Sequence, residues 1–570
     1  MEKATNPCLD PNASLGIDQA CLSIINKYKQ NLTFYSTFSE CRLCHGIPTA
    51  NLPAENTTSL LVSTKYPLHM YYMNKYEWCH TTYTFKEHGR YGWNLSAEEI
   101  CSNVYLINNP SNAYFPLIAA LLLLIMSIIV IQIGKVILRA IKHYFQRDAI
   151  YLHDDLSVLQ ESERPIQSAI NVTRLSTRVQ SVDTFRGIAI LLMIFVNNGG
   201  AEYVFFNHSA WFGLTAADLV LPWFAWIMGM TIAISKRGEF RYTSSRTKII
   251  MRNFTRMLML ILIGLMLNSR KIFSNFHGKS YYLENLRFPG VLQLLAISYF
   301  VCTVLETLFV RSPLSLGRFS ILEDILNNWI QWLIILTIVV IHTLITFLLP
   351  VPNCPKGYLG PGGYDTFEKY TNCTGGAAGY IDRYVFGKHM YNNTNNLVYG
   401  NILQHDPEGI MNTISAIFIV YLGVQAGHIL LYYYQCKSKI LRWLLWSLVT
   451  GIIAGFLCNF SLVDGVIPLS KKMMTLSFVL TTSSFAFLLF AILYYLIDYK
   501  QFFTGAPFVY AGANSIFLYV GHYITMGLFP WSWRENNPTH SIQLVINLWT
   551  TVLWTFISYV LYKKEIVITV

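Results

Sequence analysis

The chain has 570 residues and is 53% hydrophobic and 15% aromatic, but only 13% charged, with a mean hydropathy of +0.38. A soluble domain carries about 25% charged residues, so this composition excludes a disordered chain, a collagen and an ordinary cytosolic enzyme, and implies many membrane spans. Lys plus Arg number 42 against 31 Asp plus Glu, a +11 excess that suggests nucleic acid in a soluble protein but cytosolic loops in a polytopic one; the second reading, with no nucleic acid partner, is the one expected here.

Residues 1–112 do not look like membrane. They hold 8 basic and 9 acidic residues, so the net positive charge lies entirely in the remainder of the chain. Six cysteines occur here (Cys8, Cys21, Cys41, Cys44, Cys79, Cys101), with Asn-x-Ser/Thr acceptors at Asn12, Asn31, Asn56 and Asn94. Cysteines in even number beside clustered acceptors imply an oxidising, glycosylating compartment. The alternative for Cys41 and Cys44 is a zinc or redox pair, but no second such pair occurs after them. Alternating stretches at 60–64 and 104–107 predict a small β-rich, disulfide-bonded domain. No signal peptide is visible at the first residues, so either the chain starts at a processed end or the first span translocates it.

The first long apolar run is 113–138, followed by Arg139, Lys142 and Arg147 in a loop at 139–180. That order puts the N-terminal domain outside the cytosol. Further spans are predicted at 185–204, 214–235, 252–268, 289–310, 330–350, 409–433, 440–460, 473–497, 508–529 and 542–562. The total of about 11 makes a polytopic all-α bundle with a cytosolic C-terminus. The loop 236–256 agrees, with Lys236, Arg237, Arg241, Arg246, Lys248, Arg252 and Arg256 against a single acid, Glu239. Loop 351–408 falls on the N-terminal side; it carries acceptors at Asn372 and Asn392, and Cys354 and Cys373 as a plausible pair. Cys302, Cys436 and Cys458 read as buried thiols in or beside spans.

Polar groups inside spans are costly and point to function. Asp183 and Arg186 sit three apart at a cytosolic mouth and can share a helix face; the plainer reading is an anchor and its partner. Asn197 lies three turns further along that face, as helix glue or a site group. His208 falls in a short outside loop, and Asp218 in the next span, before Pro222. Histidine suits proton transfer, and Asp218 could orient it. Trp211 and Trp223 form either a sugar platform or an interfacial belt. Arg287 stands at an outside mouth, Gln293 within the following span, and Asn514 and His522 share a late one. No phosphate loop, zinc spacing or nucleophile elbow occurs, so no metal is expected.

These segments form an ordered set: Val182-Asp-Thr-Phe-Arg-Gly-Ile-Ala, the run from Asn207 to Phe224, Arg287-Phe-Pro-Gly-Val-Leu-Gln, Cys354-Pro-Lys-Gly-Tyr, Asp406-Pro-Glu-Gly-Ile and Leu422-Gly-Val-Gln-Ala-Gly. Through about residues 175–570 the chain closely resembles the heparan-α-glucosaminide N-acetyltransferase family. The resemblance implies acetyl transfer from cytosolic acetyl-CoA to the non-reducing terminal glucosamine of heparan sulfate, in the lysosomal membrane. It makes His208 and Asn197 catalytic, and a wider likeness to Arg-x10-His acyltransferases aligns Arg186 with Asn197 where those enzymes have His. Under this reading Asp218 supports His208. Asp183, Arg186, Arg252, Arg256, Arg287 and Gln293 are candidates for the donor, and Trp211, Trp223, Asn514 and His522 for the sugar. Two departures are visible: Leu294 stands where the family has Arg, and Pro165 interrupts the sorting signal after Glu161. Membrane lipid and a second copy of the chain complete the expected partners. Direct transfer in a ternary complex competes with an acetyl-His208 intermediate, and a sugar or acyl-carrier transporter is the alternative from a different class.

Overall fold

The computed structural model describes residues 7–10, 13–73, 78–96, 101–157, 179–242, 245–274, 286–309, 322–391 and 394–568. Asn12, Asn392, Glu161 and Pro165 lie outside the described residues, as do the side chains of Arg139, Lys142, Arg147, Arg237 and Arg241.

Among the described residues eight strands precede the first helix: β1 (Gln19–Asn26), β2 (Leu32–Phe38), β3 (Ile47–Leu52), β4 (Asn56–Ser63), β5 (Leu68–Met73), β6 (Trp78–Tyr83), β7 (Arg90–Leu95) and β8 (Tyr105–Asn108). They form two four-stranded sheets, ordered β4-β1-β7-β8 and β3-β2-β5-β6, with β1 and β7 parallel. The alternation in the sequence puts one face of each sheet into a shared core. Leu22, Ile24, Phe34, Met70, Tyr72 and Trp93 meet there, and Trp93 lies edge-on to Phe34 at 6.1 Å and Tyr72 at 5.6 Å. Disulfides join Cys8 to Cys21, Cys41 to Cys44 and Cys79 to Cys101, and Cys354 to Cys373 in the later loop. Cys41 and Cys44 are therefore bonded to each other rather than held as a thiol pair. Cys302 and Cys458 are buried free thiols, and Cys436 is partly buried.

Residues 112–179 form a separate unit containing α1 (Phe115–Ser157), whose stretch Phe115–Ser127 is apolar and outwardly exposed. The rest is one unit with the β-domain. Its helices are α2 (Gln180–Asn197), α3 (Ala216–Tyr242), α4 (Arg246–Ser274), α5 (Val291–Phe309), α6 (Glu323–Leu326), α7 (Trp329–Leu348) and α8 (Gly376–Phe386). They continue as α9 (Ile410–Tyr432), α10 (Cys436–Leu457), α11 (Leu476–Tyr494), α12 (Phe508–Ala513), α13 (Ser515–Thr525) and α14 (His540–Lys563). Nine helices among the described residues are long and apolar enough to cross a membrane, each at a predicted span. The span predicted at 508–529 is instead broken at Asn514 into α12 and α13. The Asn514 side chain has a distant partner: its Nδ2 donates to the Ile566 carbonyl at 3.0 Å and its Oδ1 accepts from the Ile568 N–H at 2.8 Å.

Two pairs of glycines let helix backbones touch. A Cβ on Gly229 of α3 would lie 1.8 Å from the Val420 carbonyl oxygen of α9, and one on Gly423 would lie 1.8 Å from that of Trp226. Gly187 of α2 and Gly512 of α12 meet Phe508 and Asp183 carbonyls at the same distance. Close approach of this kind replaces the hydrophobic drive that helices in lipid lack. The second pair seats the segment that carries Asp183 and Arg186. Gly512→Ala is expected to destabilise the fold by about 1–3 kcal/mol through overpacking. Gly134→Ala, in open surroundings on α1, should not. Thermal melts of the two detergent-purified variants check this, and equal melting temperatures would contradict the contact.

Candidate active site

A cavity of about 810 Å³ runs between α2, α3, α4, α5 and α13. Asp218 near the start of α3 and Lys236 eighteen positions later both line it. At the helical rise this separation is about 27 Å, close to the ~30 Å hydrocarbon thickness of a bilayer. The cavity therefore extends along most of a span. The helices it follows have polar groups at each end and apolar side chains, such as Leu221, Phe224, Met228 and Ile232, between.

At the end nearer the β-domain, marked by Tyr66, His208 sits in the connection between α2 and α3. Its Nδ1 lies 2.9 Å from Asp218 Oδ1. Asp218 is fully buried, and its Oδ2 accepts from the Ser209 N–H at 3.3 Å, the Thr215 N–H at 3.2 Å and the Thr215 hydroxyl at 3.0 Å. A carboxylate held by three donors is a fixed acceptor, so His208 donates from Nδ1 and keeps its lone pair on Nε2. Lys471 Nζ stands 3.1 Å from that nitrogen, 3.0 Å from Nδ1 and 3.9 Å from Asp218. The imidazole is 47% exposed, but it faces the cavity. Burial first, then the Lys471 charge, lower its pKa; the bond and charge of Asp218 oppose them. Pro222, inside α3, has no N–H for the Asp218 carbonyl, so the helix is loosened where the site is built.

Asn197 ends α2 and lines the same cavity. Its Nδ2 lies 3.1 Å from His522 Nε2, while His522 Nδ1 lies 3.1 Å from the Leu518 carbonyl. Nδ1 is thus the donor, Nε2 the acceptor, and one N–H of Asn197 is spent on orienting its amide. The second remains on Nδ2.

Arg287 also faces this end. Its Nε and Nη2 bind Asp406 at 2.8 and 2.5 Å, and Nη2 also meets Glu408. Burial disfavours the charge, but Glu408 and Asp406 outweigh it and hold Arg287 fully ionised. The motif around Asp406 now has a physical reading. Asp406 clamps Arg287 and accepts from the Tyr391 N–H at 3.0 Å. Glu408 lines the cavity, and Gly409 leaves room for Asp382, whose Oδ1 accepts from the Ile410 N–H at 2.9 Å and caps α9.

The opposite end is basic. Arg186, Lys236 and Arg256 line it with Ser235 and Ile568. Arg186 Nη1 donates to Asp183 Oδ1 at 3.2 Å and to the Gly512 carbonyl at 3.3 Å. Lys236 is 1% exposed and lies 2.6 Å from Glu239. Arg256 stacks on Tyr299 at 4.9 Å, and its Nη1 is 3.3 Å from the Tyr299 hydroxyl.

The predicted site residues therefore divide. His208, Asp218, Asn197, Arg186, Arg256 and Arg287 line one cavity, with Arg287 at the end away from Arg186. Asp183 and His522 hold lining residues from behind. Trp211 is buried in the packing under the β-domain, with its Nε1 on the Leu359 carbonyl at 2.9 Å. Trp223 packs edge-on to Phe185 at 5.5 Å, and Gln293 is wedged against Gly264 and Gly290. Arg252 is 73% exposed and pairs with Glu239; Asn514 pins the tail. None of these five is a lining residue. Leu294 is likewise buried outside the lining. Lys471, Lys472, Lys236 and Glu408 were missed. The signal for the lysine pair was present: two cations in a loop that the topology places away from the cytosol. Among the described residues no group of His, Cys, Asp or Glu could hold a metal ion.

No family model matches the chain. It is 37% identical over 596 residues to heparan-alpha-glucosaminide N-acetyltransferase of Homo sapiens, covering 97% of this chain and 88% of that one. It is also 37% identical over 600 residues to the Mus musculus protein of the same name, covering 99% and 91%. Similarity of this degree, carried through both the β-domain and the bundle, places the chain in the heparan-α-glucosaminide N-acetyltransferase family.

Proposed function

We propose that the chain moves an acetyl group from cytosolic acetyl-CoA to the terminal non-reducing α-D-glucosamine of heparan sulfate in the lysosomal lumen. The observation that carries this reading is the single cavity with a basic end and a His-Asp-Lys end about one bilayer apart. CoA is a polyanion, and Arg186, Lys236 and Arg256 fit its phosphates at the cytosolic end. Its acyl arm would follow the apolar middle. The sugar enters from the β-domain end, where the acceptors at Asn31, Asn56 and Asn372 are exposed. In this reading the N-terminus is lumenal and the C-terminus cytosolic. Outward apolar side chains of α7 and α10 meet lipid, and a homodimer belongs to the same reading.

The chemistry follows from the residues. Glucosamine arrives as an ammonium in an acidic lumen and must lose a proton before its nitrogen can attack the acetyl carbonyl carbon. His208 Nε2 accepts that proton once the substrate displaces Lys471 from it, and Asp218 stabilises the imidazolium. As the new C–N bond forms and the C–S bond breaks, Asn197 donates to the carbonyl oxygen where charge develops. The nitrogen gives up a second proton as the amide forms; of the two, one leaves with the CoA sulfur as the thiol and the other passes to solvent. Holding both substrates in one cavity supplies the proximity.

The test uses purified protein in detergent with acetyl-CoA. Release of CoA is expected only when a glucosaminide is present, with one N-acetyl product per CoA. Sugar uptake into proteoliposomes with no CoA release would favour a transporter instead.

A further inference from the structure

We infer that Lys472 is a specificity-determining residue that binds an acidic substituent of the acceptor saccharide, so that the site favours an acidic glucosaminyl chain end over a neutral amino sugar. This rests on the proposed transfer to glucosamine at the His208 end.

The charges at that end are equal in number, Arg287, Lys471 and Lys472 against Asp218, Asp406 and Glu408, but they are unevenly paired. Arg287 is satisfied by Asp406 and Glu408. Lys471 shares Asp218 with His208. Lys472 lines the same cavity, and among the described residues no carboxylate forms an ion pair with it. Its Nζ lies 5.3 Å from the Trp211 ring centre. A cation on an aromatic face keeps much of its demand for an anion.

The mount under Lys472 is rigid. Its carbonyl accepts from His405 Nε2 at 2.8 Å and from Asn412 Nδ2 at 2.7 Å. Trp211 is fixed by Leu359, and its own carbonyl accepts from the Ser470 hydroxyl at 2.8 Å. Burial, aided by Lys471 and opposed by Asp218, lowers the Lys472 pKa to about 8, so it is charged at acidic and neutral pH. A partly buried cation without a counter-ion is costly unless a ligand brings one.

The cavity end thus offers a carboxylate, Glu408, that is shared with Arg287, and a separate ammonium, Lys472, in ion-pair contact with no carboxylate among the described residues. A glucosaminide linked to a uronate has the complementary pair, an ammonium and a carboxylate. A sulfate on the amino sugar would supply the same negative charge. Structural support of Trp211 is the competing role for Lys472, and an acidic ligand separates the two.

The experiment compares KM for three acceptors: methyl α-glucosaminide, its 6-O-sulfate, and a glucosaminyl-uronate disaccharide. Lys472→Met keeps the apolar stem over Trp211. It is expected to raise KM for an acidic acceptor about tenfold or more relative to methyl glucosaminide, the loss of one charge-assisted contact. Lys472→Arg should largely restore it. The acceptor that loses identifies the anion as uronate or sulfate. A rise shared equally by all three acceptors, or by none, overturns the assignment. A wild-type protein that acetylates none of them overturns the acetyltransferase reading beneath it.

Discussion

Asp218→Asn is expected to lower kcat for glucosamine acetylation on the order of 10³–10⁴-fold while leaving the fold and donor binding in place. The carboxylate accepts from His208 Nδ1 and from three donors of the Ser209–Thr215 turn. An amide can keep the turn on its oxygen, but then presents N–H to the imidazole. The ring must turn its lone pair to Nδ1, and Nε2, the nitrogen that faces the cavity, carries a proton it cannot accept. His208→Ala removes the base altogether and should lose about 10²–10⁴-fold. Both are measured as N-acetyl product per unit time, with acetyl-CoA affinity from calorimetry as the control, because the basic end lies about 27 Å along α3. Labelled acetyl-CoA without sugar should leave His208 unlabelled. Stoichiometric label on that residue would replace direct transfer by a two-step route through an acetyl-imidazole. Retained turnover in His208→Ala would remove the residue from the site.

The bundle was largely legible because a span is written in 18 to 24 consecutive residues, and among the described residues nine of the predicted segments coincide with helices long and apolar enough to cross a membrane. The segment 508–529 is helical on both sides of a break that the sequence did not announce, because the break is tertiary. Asn514 leaves the helix where its side chain binds the backbone of Ile566 and Ile568, more than fifty positions away. The pair Asp183 and Arg186 could be read from spacing, since three residues on a helix are neighbours. Arg287 could not be paired in advance, because Asp406 is 119 positions distant. Lys471 and Lys472 were legible only as cations on the side of the bundle where the topology expects few. Trp211 and Trp223 show the converse error: aromatic side chains beside a candidate catalytic histidine suggested a sugar platform, yet both are packing residues. In the β-domain the alternation announced strands, but not that β1 would pair in parallel with β7 across the intervening hairpins. Pairing of the six cysteines had 15 solutions in sequence, and strand packing selects among them.

Lys471→Met should move the acid limb of the pH–rate profile of kcat/KM upward, with rate lost at acidic pH and little change near neutrality. The sign follows from the groups around His208. From α3 Asp218 faces it, from the segment before α9 Glu408, and from the loop before α11 Lys471. Burial and Lys471 lower the pKa of the imidazole, and the two carboxylates raise it. Only the neutral imidazole can accept a proton from glucosamine, so activity falls as pH drops through this pKa. Removing Lys471 removes a lowering influence, raises the pKa and protonates the base at a pH where the native enzyme still works. Under the proposed lumenal reaction the base has to stay neutral at acidic pH, and the cation beside His208 then has a purpose beyond packing. Lys471→Arg keeps the charge and should keep the profile. If Lys471→Met lowers the rate equally at every pH, the lysine acts on substrate or fold instead, and the electrostatic role is lost.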